Sequence, residues 1–293
     1  MAIVELPLVV IAGPTASGKT ALAIKLAREI DGEIICADSR TVYRGMDIGT
    51  AKPSIAEQAG VPHWGLDLVS PDQTFTAADF KRYADGKVTE IRQRGHVPFL
   101  VGGTGLYIDA VVYDYQFGQA ANLVRRTQLE ERSLEELHKY CEENNIELPE
   151  NHQNKRYVIR AIEQKGINDK RNREPIGTSI IVGIATDRDI LRTRIEHRAE
   201  QLFDDGVVEE AKQLGKKYGW DNEAMTGNIY PLVQQYLEGE LTMQEMQQKF
   251  VVLDWRLAKR QVTWLKRNPD VQWKSLAEAE HYLTEILAEN HNP

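Results

Sequence analysis

The clearest chemical signal in the chain is a glycine-rich run that follows a short apolar segment near the amino terminus. The run fits the pattern G-x-x-x-x-G-K-[ST] at every fixed position. It consists of Gly13, Pro14, Thr15, Ala16, Ser17, Gly18, Lys19 and Thr20. In such a loop, backbone N–H groups and the following helix N-terminus bind phosphate oxygens, Lys19 adds positive charge, and the Thr20 hydroxyl ligates Mg²⁺. The pattern therefore predicts a site for a polyphosphate and Mg²⁺, and leaves the reaction open.

A second candidate is the carboxylate of Asp38. ATPases and GTPases with this loop place an acidic residue at the end of an apolar strand, but the strand at 98–101 runs instead into Gly-Gly-Thr-Gly at 102–105. Asp38 follows a different apolar strand. Because the carboxyl ends of parallel strands form the ligand edge of a sheet, both features should face the phosphate loop. Asp38 could serve there as a general base or as a helix-capping residue, and the pattern alone allows either.

The elements that would position these residues alternate between strand and helix. Short, β-branched apolar runs predict buried parallel strands at Leu8–Ala12, Glu33–Ala37, Pro98–Val101 and Ile180–Ala185. Helical spacing covers 21–30 and 77–94, and Gly95 follows the second of these helices. This order predicts an α/β fold with a P-loop NTPase-like parallel sheet covered by helices.

Two further regions have a helical texture. Residues 122–165 are charged with few strand formers, and everything after Asp187 is predicted to be helical. The predicted C-terminal helices are 187–215, 230–238, 242–267 and 276–289. We therefore predict a catalytic core at 1–115 and 166–293, the latter including the C-terminal helices, and a helical insertion at 116–165.

Composition narrows the class of protein. The chain has 293 residues, and its hydrophobic fraction of 42% is ordinary for a soluble protein. Its formal charge of −8 argues against a protein that coats nucleic acid non-specifically. Its two cysteines, Cys36 and Cys141, are too few for a disulfide framework and suit a reducing compartment. The longest uncharged N-terminal run, 6–18, is too short to cross a bilayer and lacks a preceding basic region. We expect a soluble, cytoplasmic protein that does not contact membranes.

Beyond the phosphate loop, several ungapped blocks resemble the bacterial tRNA dimethylallyltransferase (tRNA isopentenyltransferase) family. The blocks occur in one order across most of the chain. They are Gly13–Thr20, Ala37–Arg40, Val42–Pro53, Val61–His63, Ala77–Phe80, Val101–Tyr107, Ala258–Gln261 and Thr263–Trp264.

The resemblance implies transfer of a dimethylallyl group from dimethylallyl diphosphate to N6 of the adenosine 3′-adjacent to the anticodon. The strand at 98–101 has no carboxylate at its end. A diphosphate leaving group would explain this absence, because no water has to be positioned to attack a γ-phosphate. Carried over by position, the catalytic residues are Asp38, Lys19, Thr20 and Thr104, with Asp38 accepting the N6 proton. Arg194 and Arg198 would join the phosphate loop in binding diphosphate, although their i,i+4 spacing also suits a solvated helix face.

The same resemblance assigns an RNA-facing surface. The implied tRNA-binding residues are Asp38, Ser39, Arg40, Thr41, Thr104, Arg156, Tyr157 and Arg160. The partners would be the tRNA anticodon loop and dimethylallyl diphosphate, the insertion at 116–165 would face tRNA, and we expect a monomer.

Five departures from the family pattern concern the RNA-facing surface. Thr41 replaces the usual glutamine, Trp64 a common histidine, and Tyr157 a usual arginine. The insertion is short and lacks an expected aspartate-proline segment, and the block at 227–231 is altered to Gly-Asn-Ile-Tyr-Pro.

Two other enzyme classes share the phosphate loop. An adenylate dimethylallyltransferase uses the same prenyl donor but lacks the C-terminal helical region and the Ala-Asp-Ser-Arg block. A P-loop small-molecule kinase would need an acidic residue at another strand end or an arginine lid over adenine. A non-enzymatic nucleotide-binding module is disfavoured by Asp38 beside a complete phosphate loop.

The net charge is unevenly distributed. Residues 129–150 carry −6, whereas 151–175 and 254–268 carry +4 each. Such basic segments suit binding to one RNA shape or are simply solvated faces. They are where tRNA contact is expected.

Overall fold

The chain folds as two units, one formed by its two ends and the other by its middle. The computed structural model describes residues 6–117, 122–164, 172 and 174–291. The core unit comprises Met1–Val112 and Pro175–Pro293, and the insertion unit comprises Tyr113–Glu174.

A six-stranded parallel sheet forms the centre of the core unit, as predicted. The strands are β1 (Leu8–Ala12), β2 (Glu33–Ala37), β3 (His63–Trp64), β4 (Pro98–Gly102), β5 (Ser179–Ile184) and β6 (Gln272–Lys274). Their order is β3-β2-β4-β1-β5-β6. In register, Ile11 of β1 lies between Val101 of β4 and Val182 of β5. Because β1, β2 and β4 are buried along their whole length, their sequences are apolar almost without interruption.

Nine helices of the core unit surround this sheet in the part of the chain that the structure describes. They are α1 (Lys19–Glu29), α2 (Ile55–Gln58), α3 (Ala77–Gln93), α4 (Gly105–Val112), α8 (Arg188–Asp204), α9 (Val207–Tyr218), α10 (Tyr230–Leu237), α11 (Met243–Leu265) and α12 (Leu276–His291). A 3₁₀ turn spans Ala224–Thr226. Thr76 with Asp79, and Thr242 with Glu245, form capping boxes that fix the starts of α3 and α11.

The structure corrects the predicted C-terminal region in two places. It is not entirely helical, because Gln272–Lys274 forms β6. The predicted helix 187–215 is two helices, since the chain turns at Gly206 with φ +93° before α9 begins. The edge strands β3 and β6 have only two and three residues, too few to show an alternating pattern.

Among the apolar clusters of the described part of the core unit, two position the elements around the phosphate loop and Asp38. The first joins the sheet to α1 and α12, for example through Leu22, Leu26 and Leu283. The second joins the segment after β2 to the C-terminal helices, through Tyr43, Met46 and their neighbours on α8–α11. The second cluster therefore fixes the chain that follows Asp38 against α8–α11.

The insertion unit has its own small core. Its helices are α5 (Leu123–Glu130), α6 (Leu134–Glu143) and α7 (Lys155–Gln164). Leu137, Cys141 and Val158 are fully buried at its centre. Arg126 forms a bidentate ion pair with Glu163, at 2.9 Å from Nε to Oε1 and 2.6 Å from Nη2 to Oε2. Across the described parts of both units, no helix combines the length and apolar character that a bilayer crossing requires.

Glu33 begins β2, at the end of the sheet opposite to the phosphate loop, which follows the last residue of β1. Its buried carboxylate is the centre of a polar network. Glu33 is 2% exposed. Arg94 donates from Nε and Nη2 at 2.9 and 2.8 Å, Trp64 donates from Nε1 at 2.7 Å, and His96 Nδ1 lies at 2.7 Å. Burial raises the pKa of Glu33, but the hydrogen bonds from Arg94, His96 and Trp64 outweigh it and bring the pKa to about 2. Trp64 thus has a structural partner here.

We predict that Glu33→Gln lowers the free energy of unfolding by about 1–3 kcal/mol at neutral pH, because a charged acceptor of several hydrogen bonds is lost. A pKa depressed below its unfolded value of 4.5 stabilises the fold above that pH. The difference between wild type and variant should therefore shrink as pH falls from about 4.5 towards about 2. Denaturant unfolding across this range measures it.

The matched control is Glu90→Gln, which removes a partly exposed partner of Lys87 at 2.6 Å and should cost less than about 1 kcal/mol. A difference for Glu33→Gln that does not change with pH would contradict the role of the ionised carboxylate.

Candidate active site

The phosphate loop joins β1 to α1, and two of its residues have positive φ. Ala16 and Gly18 have φ values of +60° and +90°, and Gly18 is the N-cap of α1 without a side-chain cap. This left-handed conformation favours glycine. Lys19 turns back to donate from Nζ to the carbonyl of Pro14 at 3.0 Å. The N–H groups at the start of α1 therefore remain available to an anion.

Three side chains from α8 and α11 hold the phosphate loop. Gln261 Oε1 accepts a hydrogen bond from the backbone N–H of Thr15 at 2.8 Å. Arg194 donates from Nη1 to the carbonyl of Ser17 at 3.1 Å, and Arg198 donates to the hydroxyl of Thr15. The face that Arg194 and Arg198 share is thus directed at the phosphate loop, which places two guanidinium groups beside it.

Lys19 and Ser17 carry the polar chemistry of the loop interior. Burial lowers the pKa of Lys19 to about 8, Asp38 opposes this shift, and Arg198 adds to it. The Ser17 hydroxyl is buried and has no hydrogen-bond partner among the described residues. A half-buried cation with a depressed pKa and a buried, unpartnered hydroxyl are groups that a bound phosphate would satisfy.

The donor set at the loop fits Mg²⁺ bound together with a phosphate ligand. Thr20 lies in the first turn of α1 and lines the same cavity as Lys19. Within the described chain no group of three or more His, Cys, Asp or Glu side chains is arranged to hold a metal ion. Mg²⁺ commonly uses one or two protein ligands with waters and substrate phosphates, so one threonine hydroxyl is compatible with it.

Asp38 stands at the carboxyl end of β2 in a tight turn. Its Oδ1 accepts a hydrogen bond from the backbone N–H of Arg40 at 2.8 Å. The turn is tied to the end of β4, because Thr104 Oγ1 accepts from the backbone N–H of Ser39 at 3.1 Å. The carboxylate is half-buried and lines the cavity, and Oδ2 makes no hydrogen bond to any described residue. One oxygen is thus fixed by the turn and the other can receive a proton.

Arg40 and Thr41 have surroundings that the sequence did not predict. The guanidinium of Arg40 donates to the carbonyl of Glu223 at 2.8 Å and to the hydroxyl of Thr226 at 3.2 Å. It thereby holds the segment before α10 against the Asp38 turn. Thr41 is 6% exposed, and its buried hydroxyl has no hydrogen-bond partner among the described residues.

The glycine turn after β4 lets α11 come very close. A Cβ on Gly103 would lie 2.3 Å from Gln261 Nε2, and one on Gly105 would lie 2.0 Å from Trp264 Cδ1. Trp264 Nε1 donates to Asp109 of α4 at 2.7 Å. Since no side chain larger than hydrogen fits between them, these glycines are required for the position of α11.

A clamp that sequence reasoning missed holds the segment at 47–49. The backbone N–H groups of Asp47 and Ile48 donate to Glu210 Oε2 at 2.9 and 2.6 Å, and that of Gly49 donates to Oε1 at 2.9 Å. Tyr230 donates its hydroxyl to Oε1 at 3.0 Å, and burial and Glu210 raise the pKa of Tyr230. Glu210 belongs to no sequence motif, so its role could not be predicted from the sequence pattern.

These elements enclose one cavity of about 1260 Å³ in the core unit. Pockets for one small ligand usually measure about 300–1,000 Å³, so this volume has room for two substrates side by side. The phosphate loop, the Asp38 turn, the segments 49–53 and 226–230, and α11 line it. Predicted site residues that the cavity brings together are Thr15, Ala16, Ser17, Gly18, Lys19, Thr20, Asp38, Ser39, Arg40, Thr41, Thr104, Arg194 and Arg198.

The remaining predicted tRNA-binding residues belong to the insertion unit. Arg156, Tyr157 and Arg160 lie on α7. Arg156 is exposed and Tyr157 is 42% exposed. Arg160 donates to Glu163 at 3.3 Å. Arg156 and Tyr157 thus form a free surface of that unit, whereas Arg160 already has a carboxylate partner.

Cavity residues on α11 were also missed. In the sequence, Gln261 stands within one of the resembling blocks, and Asp254 is the single acidic residue of the basic segment at 254–268. Both line the cavity, as does Asn228. Asp254 and Gln261 are seven residues apart, a spacing that puts them on one face of a helix and could have indicated a shared surface.

The chain is similar to known proteins along most of its length. A family model described as IPP transferase matches residues 41–268. The chain is 40% identical over 287 residues to the tRNA dimethylallyltransferase of Desulforudis audaxviator, covering 93% of each chain. It is 37% identical over 285 residues to that of Bacillus velezensis, covering 92% of this chain and 91% of the relative. The crystal structure of a tRNA isopentenylpyrophosphate transferase from Bacillus halodurans superposes with a TM-score of 0.75 at 34% identity, covering 97% of this chain and 98% of that one.

The pKa of Lys19 gives a pH prediction for anion binding. Only the protonated amine attracts phosphate, so the affinity for inorganic diphosphate should fall as pH rises through about 8. Calorimetric titration between pH 6.5 and 9.5 measures the dissociation constant. Lys19→Met should bind more weakly at low pH and lack this step, which separates the lysine from the titration of diphosphate itself. Identical pH profiles for wild type and Lys19→Met would contradict the assignment.

Proposed function

The chain belongs to the IPP transferase family, and we propose that it transfers a dimethylallyl group from dimethylallyl diphosphate to N6 of the adenosine 3′-adjacent to the anticodon in tRNA. One observation carries the proposal beyond family membership. The phosphate loop and the carboxylate of Asp38 open into the same cavity, so a leaving diphosphate and a nucleophile that must lose a proton have adjacent sites.

Cationic side chains and backbone N–H donors around the phosphate loop support binding of the diphosphate there. Lys19, Arg194 and Arg198 surround the loop with positive charge, and the start of α1 directs backbone N–H groups towards it. Such preorganised donors stabilise negative charge as it develops on the leaving group. Mg²⁺ held at Thr20 would supply further charge neutralisation on the diphosphate when bound.

The acceptor half depends on Asp38. In the proposed step, the bond from the allylic carbon to the diphosphate oxygen breaks and a bond from that carbon to adenine N6 forms. The N6 proton passes to Asp38 Oδ2, the oxygen not engaged by the Arg40 N–H, and the electron pair of the broken bond leaves with the diphosphate. A weakly nucleophilic amine needs this proton acceptor because the product nitrogen would otherwise carry a positive charge.

An RNA substrate places two requirements on the cavity. The target adenine would have to leave its stack in the anticodon loop to reach Asp38, and water would have to be excluded to protect the prenyl donor. Residues 254–268 carry +4, and 151–175 in the insertion unit carry +4, which supports contact with RNA phosphates. We place the enzyme in the cytoplasm, where tRNA is its substrate, and treat the insertion unit as facing tRNA.

The activity is tested by incubating the purified protein with labelled dimethylallyl diphosphate and either tRNA or AMP. The tRNA should come from a strain that lacks this modification, and its nucleosides should be analysed after digestion. We expect label in tRNA, on the N6 of an adenosine. Equal or better transfer to AMP would overturn the tRNA assignment in favour of an adenylate dimethylallyltransferase.

The role of Asp38 is tested by Asp38→Asn, which keeps an acceptor for the Arg40 N–H but cannot take a proton. We expect kcat to fall by about 100-fold or more with little change in donor affinity, because a base acts in the transition state. Steady-state kinetics and diphosphate titration measure the two effects.

Asp31→Asn is the matched control, since Asp31 is an exposed aspartate just before the same strand. It should leave kcat unchanged. Near-native turnover of Asp38→Asn would show that another group accepts the proton.

A further inference from the structure

Asp254 on α11 is a buried carboxylate with half of its hydrogen bonding missing. It is 4% exposed and lines the cavity. Its Oδ1 accepts a hydrogen bond from Asn228 Nδ2 at 3.0 Å. Its Oδ2 is buried and has no hydrogen-bond partner among the described residues. Leaving a buried charged acceptor unsatisfied destabilises a fold, so such a group calls for an explanation.

The fold itself does not supply the missing donor. Phe250 and Leu257, four residues before and three after Asp254 on the same helix, are apolar cavity residues. No ion pair between described residues involves Asp254, and Asn228 contributes its amide to Oδ1 only. A donor from a molecule in the cavity, reached by a small rotation of the carboxylate, would complete its hydrogen bonding.

The position of Asp254 separates it from the phosphate loop. Gln261, which holds that loop, lies seven residues further along α11, a distance of about 10 Å at 1.5 Å per residue. Asn228 instead follows Thr226, which receives a hydrogen bond from Arg40 at 3.2 Å. Arg40 in turn donates its backbone N–H to Asp38. Asp254 therefore belongs to the wall that continues from the Asp38 turn.

The chemistry of the two proposed substrates distinguishes which of them meets Asp254. Dimethylallyl diphosphate offers phosphate oxygens, which repel a carboxylate, and an apolar five-carbon group. A nucleotide offers amine N–H and ribose O–H donors. Resting on the proposed function, we infer that Asp254 accepts a hydrogen bond from an N–H or O–H group of the tRNA nucleotides bound in this cavity, and so helps to determine acceptor specificity.

If Asp254 only tied α11 to the segment before α10, Asp254→Asn would leave the KM for tRNA unchanged. Asp254→Asn keeps an acceptor for Asn228 and replaces the unpartnered oxygen by an amide. It should raise the midpoint of denaturant unfolding, because an unsatisfied buried charge is removed. The inference also requires the KM for tRNA to rise about 10-fold, as expected when a hydrogen bond to a charged group is lost, with the KM for dimethylallyl diphosphate unchanged.

Asp204→Asn is the matched control, because Asp204 is exposed on α8 and loses the same charge. Removing a negative charge by itself favours RNA binding, so weaker binding by Asp254→Asn alone cannot be a general electrostatic effect. An unchanged KM for tRNA, or a change confined to the KM for dimethylallyl diphosphate, would overturn the inference.

The donor is located with anticodon stem-loops in which single 2′-hydroxyl or exocyclic amine groups are replaced by hydrogen, the target N6 amine being retained. One replacement should weaken binding to wild type by about 10-fold and have little further effect on Asp254→Asn, since both remove the same hydrogen bond. Losses of equal size in wild type and variant at every position would overturn the inference. If wild type transferred no dimethylallyl group to any tRNA, the proposed function itself would fail, and that outcome is distinct from both.

Discussion

The geometry of the site depends on the contact between α11 and the carboxyl edge of the sheet. Gln261 binds the phosphate loop through the N–H of Thr15, while Trp264 bonds to Asp109. The contact is possible because Gly103 and Gly105 leave no Cβ between the helix and the turn after β4. A helix near the C-terminal end of the chain, α11, thus holds the phosphate loop near the N-terminal end in place. A side chain at Gly105 would displace the Trp264 ring and with it α11, and one at Gly103 would displace the Gln261 amide that binds the phosphate loop.

Other contacts transmit the same constraint around the cavity. Arg40 holds the segment before α10, and Glu210 holds the segment at 47–49 through three successive backbone N–H groups. Each connects the chain after β2 to the C-terminal helices. Several buried polar groups nearby have no hydrogen-bond partner within the described residues, including the hydroxyls of Ser17 and Thr41. Sites commonly hold such groups at some expense of stability, because a substrate completes their hydrogen bonding.

The parts of this arrangement that follow from short-range pattern were predictable from the sequence. The phosphate loop and the buried strands depend on local glycines and apolar runs. Asp38 stands out because it follows an apolar strand, and the blocks that resemble known transferases imply its role as proton acceptor. The remainder depends on contacts between distant segments. Glu210 has no motif to mark it as a clamp, and strands of two or three residues such as β3 carry too little pattern to detect. The partners of Arg40 also depend on where α10 begins, which no local rule sets.

The central claim is that one cavity presents the diphosphate to the phosphate loop and the adenine amine to Asp38. A co-crystal structure with inorganic diphosphate and an anticodon stem-loop tests it most directly, through the distance from adenine N6 to the carboxylate of Asp38. We predict diphosphate within the loop at 13–20 and N6 at hydrogen-bond distance, about 2.7–3.2 Å, from an Asp38 oxygen. An adenine bound outside the cavity, or an N6 facing a residue other than Asp38, would contradict the account.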